Sequence, residues 1–137
     1  MRPAASWLWA EGIGVIWQAV KSGFDEVELM NDFGINEMLE MQKTLQEKYK
    51  DIWETISPEI GKNKLLWMIG EIGEVIDIIK KHGGETASQD KELRSCLIEE
   101  LADVLMYYND VLLCYGISAE ELKQSYTSKF EKNMKRW

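Results

Sequence analysis

Glu71, Glu74, Glu100 and Asp103 are the side chains of this sequence whose types and spacing point to chemistry. They fall in Gly70-Glu71-Ile72-Gly73-Glu74-Val75-Ile76 and in Glu99-Glu100-Leu101-Ala102-Asp103-Val104-Leu105. Each stretch holds two carboxylates three residues apart inside an apolar run of helical period, and residues at that spacing share a helix face. Sliding the first stretch forward by 29 positions sets Glu71 on Glu100, Gly73 on Ala102, Glu74 on Asp103 and Val75 on Val104. Two such helices packed antiparallel would bring four carboxylates to one place. That much negative charge beside an apolar core calls for a cation. Carboxylate oxygens are hard ligands suited to Mg²⁺, with Mn²⁺ as a substitute.

At about 100° per residue, both acidic pairs fall at the border of the apolar stripe of their helix. Trp67 and Ile78 accompany the first pair and Tyr107 the second, which describes a pocket wall better than a solvated back. Gly73 and Ala102 would let the two helices approach closely. The competing reading is a solvated acidic face, which is common on amphipathic helices. The duplication at equal angles is what favours a site. Glu99 and Asp77 point further out and read as surface acids.

The elements that must position these groups are helical throughout. Ile35 to Trp53 carries Ile35, Met38, Leu39, Leu45, Tyr49 and Ile52 at three- and four-residue steps. Ser57-Pro58 and Gly61 break it. A second helix is expected from Asn63, as N-cap, to His82, with Leu65, Met68, Ile72, Val75, Ile76 and Ile79 as its core stripe. Gly83-Gly84 ends it, with His82 as a C-terminal capping residue, and a polar connector runs to Asp90. A third spans Lys91 to Tyr115, with Leu93, Leu97, Leu101, Val104, Leu105, Tyr108 and Leu112 on its stripe, and Gly116 stops it. Ser118-Ala119-Glu120-Glu121 is a capping box for a fourth, carrying Leu122, Tyr126, Phe130 and Met134. No stretch alternates with the period of a strand. The fold class is all-α, an antiparallel four-helix-bundle-like arrangement.

The length of 137 residues suits one domain, and a net charge of −8 argues against a general nucleic-acid binder. One histidine excludes His-rich metal sites. Cys96 and Cys114 form no CxxC and read as reduced thiols in a cytoplasmic protein. Residues 1–29 differ from the rest, holding Trp7, Trp9 and Trp17 among Gly12, Gly14 and Gly23. Glu11 interrupts their apolar run and no clear cleavage site follows, so neither a signal peptide nor a membrane span is expected. An extra helix, an appended tag or a natural start at Met30 are the readings left. The domain is expected over residues 30–137.

Gly-Glu-Ile-Gly-Glu followed by Glu-Glu-Leu-Ala-Asp-Val-Leu resembles the all-α NTP pyrophosphohydrolases of the MazG type, whose signature is ExxE on one helix and ExxD on the next. Gly70, and Asn63 seven residues before it, resemble the dCTP pyrophosphatase branch. Lys129-Phe130-x-x-Asn133-x-x-Arg136-Trp137 is similar to the family's ending, with Trp137 in place of the usual Tyr. The resemblance covers roughly residues 35–137. It implies cleavage of a nucleoside triphosphate, ribo or deoxy, into a monophosphate and pyrophosphate. Glu71, Glu74, Glu100 and Asp103 would hold Mg²⁺, which bridges the acidic wall and the polyanionic substrate. Lys129, Asn133 and Arg136, on one helical face, and Lys80 and Lys81 are phosphate-binding candidates. Asn63 and Tyr107 are substrate-contacting candidates. For the basic residues of the last helix, complementing the helix dipole is the alternative role. Trp53 suits a core or subunit contact better than a base stack. A homodimer or homotetramer is expected. The reading from another class is a non-catalytic helical bundle that binds a nucleotide or a protein.

Overall fold

The computed structural model describes residues 33–136, and every regular element within them is helical, as expected. α1 spans Ile35–Lys48, a 3-10 turn covers Pro58–Ile60, and α2 runs Gly61–His82. α3 is Gly84–Gln89, α4 is Lys91–Cys114 and α5 is Ala119–Met134. Residues 1–32 and Trp137 lie outside the described residues, and so do the expectations attached to residues 1–29 and to Trp137.

Local chemistry explains where these helices begin and end, and where they depart from expectation. α1 stops at Lys48, five residues short of Trp53. The N–H groups of Ile52 and Trp53 both donate to the Tyr49 carbonyl, at 2.9 and 2.8 Å, and close a tight turn there. Trp53 stacks on Tyr49 with ring centroids 4.7 Å apart. α2 begins at Gly61 and not behind Asn63, because the Pro58–Ile60 turn already sets the helical path. Asn63 therefore lies inside the first turn and directs its amide toward Glu54, at 3.4 Å. Gly83, at φ +83°, ends α2 in a conformation that a side chain would strain.

The polar connector is itself helical. α3 packs against both α2 and α4, and Ala87 is fully buried there. Asp90 follows as the N-cap of α4, its Oδ1 accepting from the N–H groups of Glu92 and Leu93, each at 3.0 Å. The capping box at Ser118 forms as expected. The Glu121 N–H donates to Ser118 Oγ at 3.2 Å, and the Ser118 N–H donates to the Glu121 carboxylate at 2.9 Å.

α2 and α4 make the central pair. Lys64 meets Asp110, Trp67 stacks on Tyr107, and Glu74 meets Glu100, so one number falls as the other rises, which is antiparallel alignment. α1 packs on α4. The buried apolar set among the described residues is small: Leu39, Ala87, Leu112 and Cys114. The stripes expected to form the core are only partly covered. Ile76 is 51% exposed, Leu101 48% and Phe130 57%. No described element lies over that side of the α2–α4 pair, and α5 touches the other described elements only lightly.

Candidate metal and substrate site

The antiparallel register stacks four layers of facing residues along α2 and α4. Lys64 and Asp110 form the first, Trp67 and Tyr107 the second. Glu71 and Asp103 follow by the same register, then Glu74 and Glu100. Successive layers are three or four residues apart, about one helical turn or 5 Å. The repeat of 29 positions in the sequence is what sets acid against acid across the pair.

Glu71, Glu74 and Glu100 each place a carboxylate oxygen within 4.8 Å of the other two. Glu71 and Glu100 are half-buried and Glu74 is exposed. Burial is the largest influence on Glu100 and pushes its pKa up. The negative charges of Glu74, Asp103 and Glu71 and a hydrogen bond with the Glu74 side chain push it the same way. The charges that raise it are all carboxylates. Asp103 stands outside the three-oxygen group but acts on Glu100 and lines the adjoining pocket. The structure therefore brings three of the four expected carboxylates into one cluster and sets the fourth beside it. Three hard oxygen donors, one already held toward protonation by its neighbours, fit a divalent cation such as Mg²⁺.

One turn along, α1, the loop after it, α2 and α4 enclose a cavity of about 660 Å³. Its walls include Trp53, Trp67 and Tyr107, with Asn63 and Glu54 at the rim. The Trp67 and Tyr107 rings are stacked, 6.4 Å between centroids and 12° from parallel. Burial raises the pKa of the Tyr107 hydroxyl, and Glu71, Asp110 and Asp103 add to the shift. Glu71, in the cluster, and Asp103, in the cavity wall, thus act on both Glu100 and Tyr107, so cluster and cavity adjoin. Trp53 belongs to this wall rather than to the core, and is 38% exposed.

The basic candidates do not converge on the site within one chain. Lys81 pairs with Asp77 at 2.7 Å in solvent, and that contact lowers the Asp77 pKa and raises its own. Lys80 is exposed on the same turn. Lys129, Asn133 and Arg136 are exposed on and just past α5, and none lines the cavity. His82 is exposed, and the backbone capping bond at that end runs from Gly83 to Ile79.

The residues that sequence reasoning missed are buried and polar: Lys64 at 8% exposure, Gln42 at 6% and Asp110 at 3%. A signal for two of them exists. Lys64 sits four residues before Met68 and Gln42 three after Leu39, both on apolar stripes where a polar side chain is unexpected.

A family model described as the MazG nucleotide pyrophosphohydrolase domain matches residues 59–136, more than half of the chain. The matched segment holds α2 to α5 and all four carboxylates, and leaves α1 outside. No curated protein and no solved structure matches the chain.

Proposed function

The chain belongs to the MazG nucleotide pyrophosphohydrolase family, and from that membership we propose that it is a Mg²⁺-dependent enzyme converting an NTP or dNTP and water to the monophosphate and pyrophosphate. The observation that carries this reading is the convergence of Glu71, Glu74 and Glu100 within 4.8 Å, beside a cavity walled by aromatic rings. Those three would hold the cation, with Asp103 reaching it from the cavity side. When bound, Mg²⁺ supplies positive charge for the phosphate oxygens and lets an acidic wall accept a polyanion.

The chain's own groups divide the remaining work by layer. Trp67 and Tyr107, with Trp53 across the cavity, offer ring faces to a base, a contact that every base can make. Asn63 and the Tyr107 hydroxyl can hydrogen-bond the sugar. Glu71 belongs to the cluster and also acts on the Tyr107 hydroxyl of the cavity wall, so it is the carboxylate we assign to accept the proton of the attacking water. The scissile bond is the α–β phosphoanhydride. The protein clears or adjusts a nucleotide pool inside the cytoplasm and works as a homodimer or homotetramer. Lys129, Asn133 and Arg136 then act on the phosphates from α5 of a neighbouring copy, and Lys80 and Lys81 bind outlying phosphate oxygens.

The test is release of pyrophosphate and monophosphate from the eight common NTPs and dNTPs, with and without Mg²⁺. Turnover that needs the metal, and that falls at least about 100-fold in Glu74→Gln and in Asp103→Asn, is the expected result. Phosphate release without pyrophosphate would move the scission to another bond. A folded protein inert toward every nucleotide, but binding them, would leave the non-catalytic module.

A further inference from the structure

The cavity floor holds an arrangement that hydrolysis itself does not require. Lys64 Nζ lies 3.4 Å from Asp110 Oδ2, with the two side chains 9% and 4% exposed. The other oxygen of Asp110 accepts from Gln46 Nε2 at 3.0 Å. Both carboxylate oxygens are thereby engaged within the protein. The ammonium has three N–H donors and makes no other ion pair or hydrogen bond among the described residues. It also lies 6.0 Å from the ring centroids of both Trp53 and Tyr107, contacts that draw on its charge and not on a directed proton.

Gln42 reaches the same cavity from α1. It is 6% exposed, and its amide makes no hydrogen bond among the described residues. Among the described residues, Asn109 Oδ1 is the side-chain atom sealed from solvent without a partner. The Lys64 ammonium and the Gln42 amide belong instead to residues that line one aromatic-walled cavity, where the polar edge of a ligand can meet their hydrogen-bonding capacity.

We propose that Lys64, held in place by Asp110, is a specificity-determining residue for the base of the nucleotide. It selects bases with a carbonyl oxygen where cytosine and adenine carry an amine: uracil, thymine, guanine or hypoxanthine. This rests on the nucleotide reading above. An ammonium can only donate, so it matches a carbonyl acceptor and opposes an amino donor. Gln42, whose amide both donates and accepts, complements the adjoining ring N–H. Stacking on Trp53, Trp67 and Tyr107 holds any base, so discrimination falls to the polar floor.

The experiment compares kcat/KM for UTP against CTP, and for GTP and ITP against ATP, by pyrophosphate release from the full chain. The carbonyl member should lead by about 10- to 100-fold in at least one of these comparisons. Lys64→Arg should keep the lead. Lys64→Met alone would leave Asp110 buried without its partner and destabilise the fold. The double variant Lys64→Met/Asp110→Asn removes both charges, and should bring the members to parity, the carbonyl substrate's kcat/KM falling relative to the amino one's. A merely structural pair would lower both members alike. Parity or an amino preference in the parent protein, or a lead that survives in the double variant, overturns the proposal. If no nucleotide is turned over, the hydrolase reading fails on its own. Quenching of tryptophan fluorescence then decides this one: tighter binding of UTP than CTP sustains it, and equal or absent binding overturns it.

Discussion

Glu100 is where the cost of the site falls on a single residue. Its raised pKa means that the folded chain holds this proton more tightly than the unfolded chain does. The stability it contributes is fully present below the unfolded carboxylate pKa and is lost as pH rises through the folded value. At neutral pH the metal-free protein therefore carries a penalty that a cation removes, because the cation needs the ionised form. Mg²⁺ should raise the Tm more at about pH 8 than at about pH 5, measured by thermal melts with and without the ion. Glu100→Gln should melt higher than the parent without Mg²⁺ at neutral pH, and should lose most of the response to the ion. Equal Mg²⁺ shifts at both pH values would mean that this carboxylate is not in the ion's shell.

At the scale of the element, the two capped helices should respond differently to losing their caps. α4 supplies two of the four acids and packs against α1, α2 and α3, so its N-terminus is tied into the cooperative unit. Asp90→Ala should lower global stability by about 1 kcal/mol, read from denaturant melts. α5 packs lightly, so Ser118→Ala should speed amide exchange in its first turn and barely move the Tm. Glu121 belongs to the same cap. The Ser118 N–H and hydroxyl lower its pKa, so its contribution is present above the unfolded carboxylate value and is lost as pH falls through the folded one. The stripes of α2 and α4 and the doubled acidic pair were legible in the sequence because helical period is a local property. α3 was not, since Gly84-Glu85-Thr86-Ala87-Ser88-Gln89 has no stripe of its own and one buried residue, Ala87, anchors it. The Lys64–Asp110 pair was missed for a related reason. Its members lie 46 residues apart, and neither stretch contains the other's charge. Only the antiparallel register joins them.

For the whole molecule, the small core is the feature that asks for an explanation. Ile69 at 61%, Ile76 at 51%, Ile98 at 45% and Leu101 at 48% exposure lie on α2 and α4, and no described element covers them. A patch of this kind on an acidic chain fits contact with another apolar face better than contact with water. A second copy brings the same face, and a two-fold arrangement sets like against like. Sedimentation velocity should then show a multiple of the chain mass. Ile69→Glu/Ile98→Glu, at positions that cost a single chain little, should shift the boundary toward one chain. Mixing tests the role assigned to α5. If Lys129 serves the carboxylates of another copy, Glu74→Gln chains and Lys129→Ala chains, each weak alone, should regain turnover once exchanged into mixed oligomers, because one site per pair then has both residues. A parent protein that sediments as one chain at full activity would remove the oligomer from the reading. Mixtures no better than the average of their parts would mean that Lys129 does not serve the site of another copy.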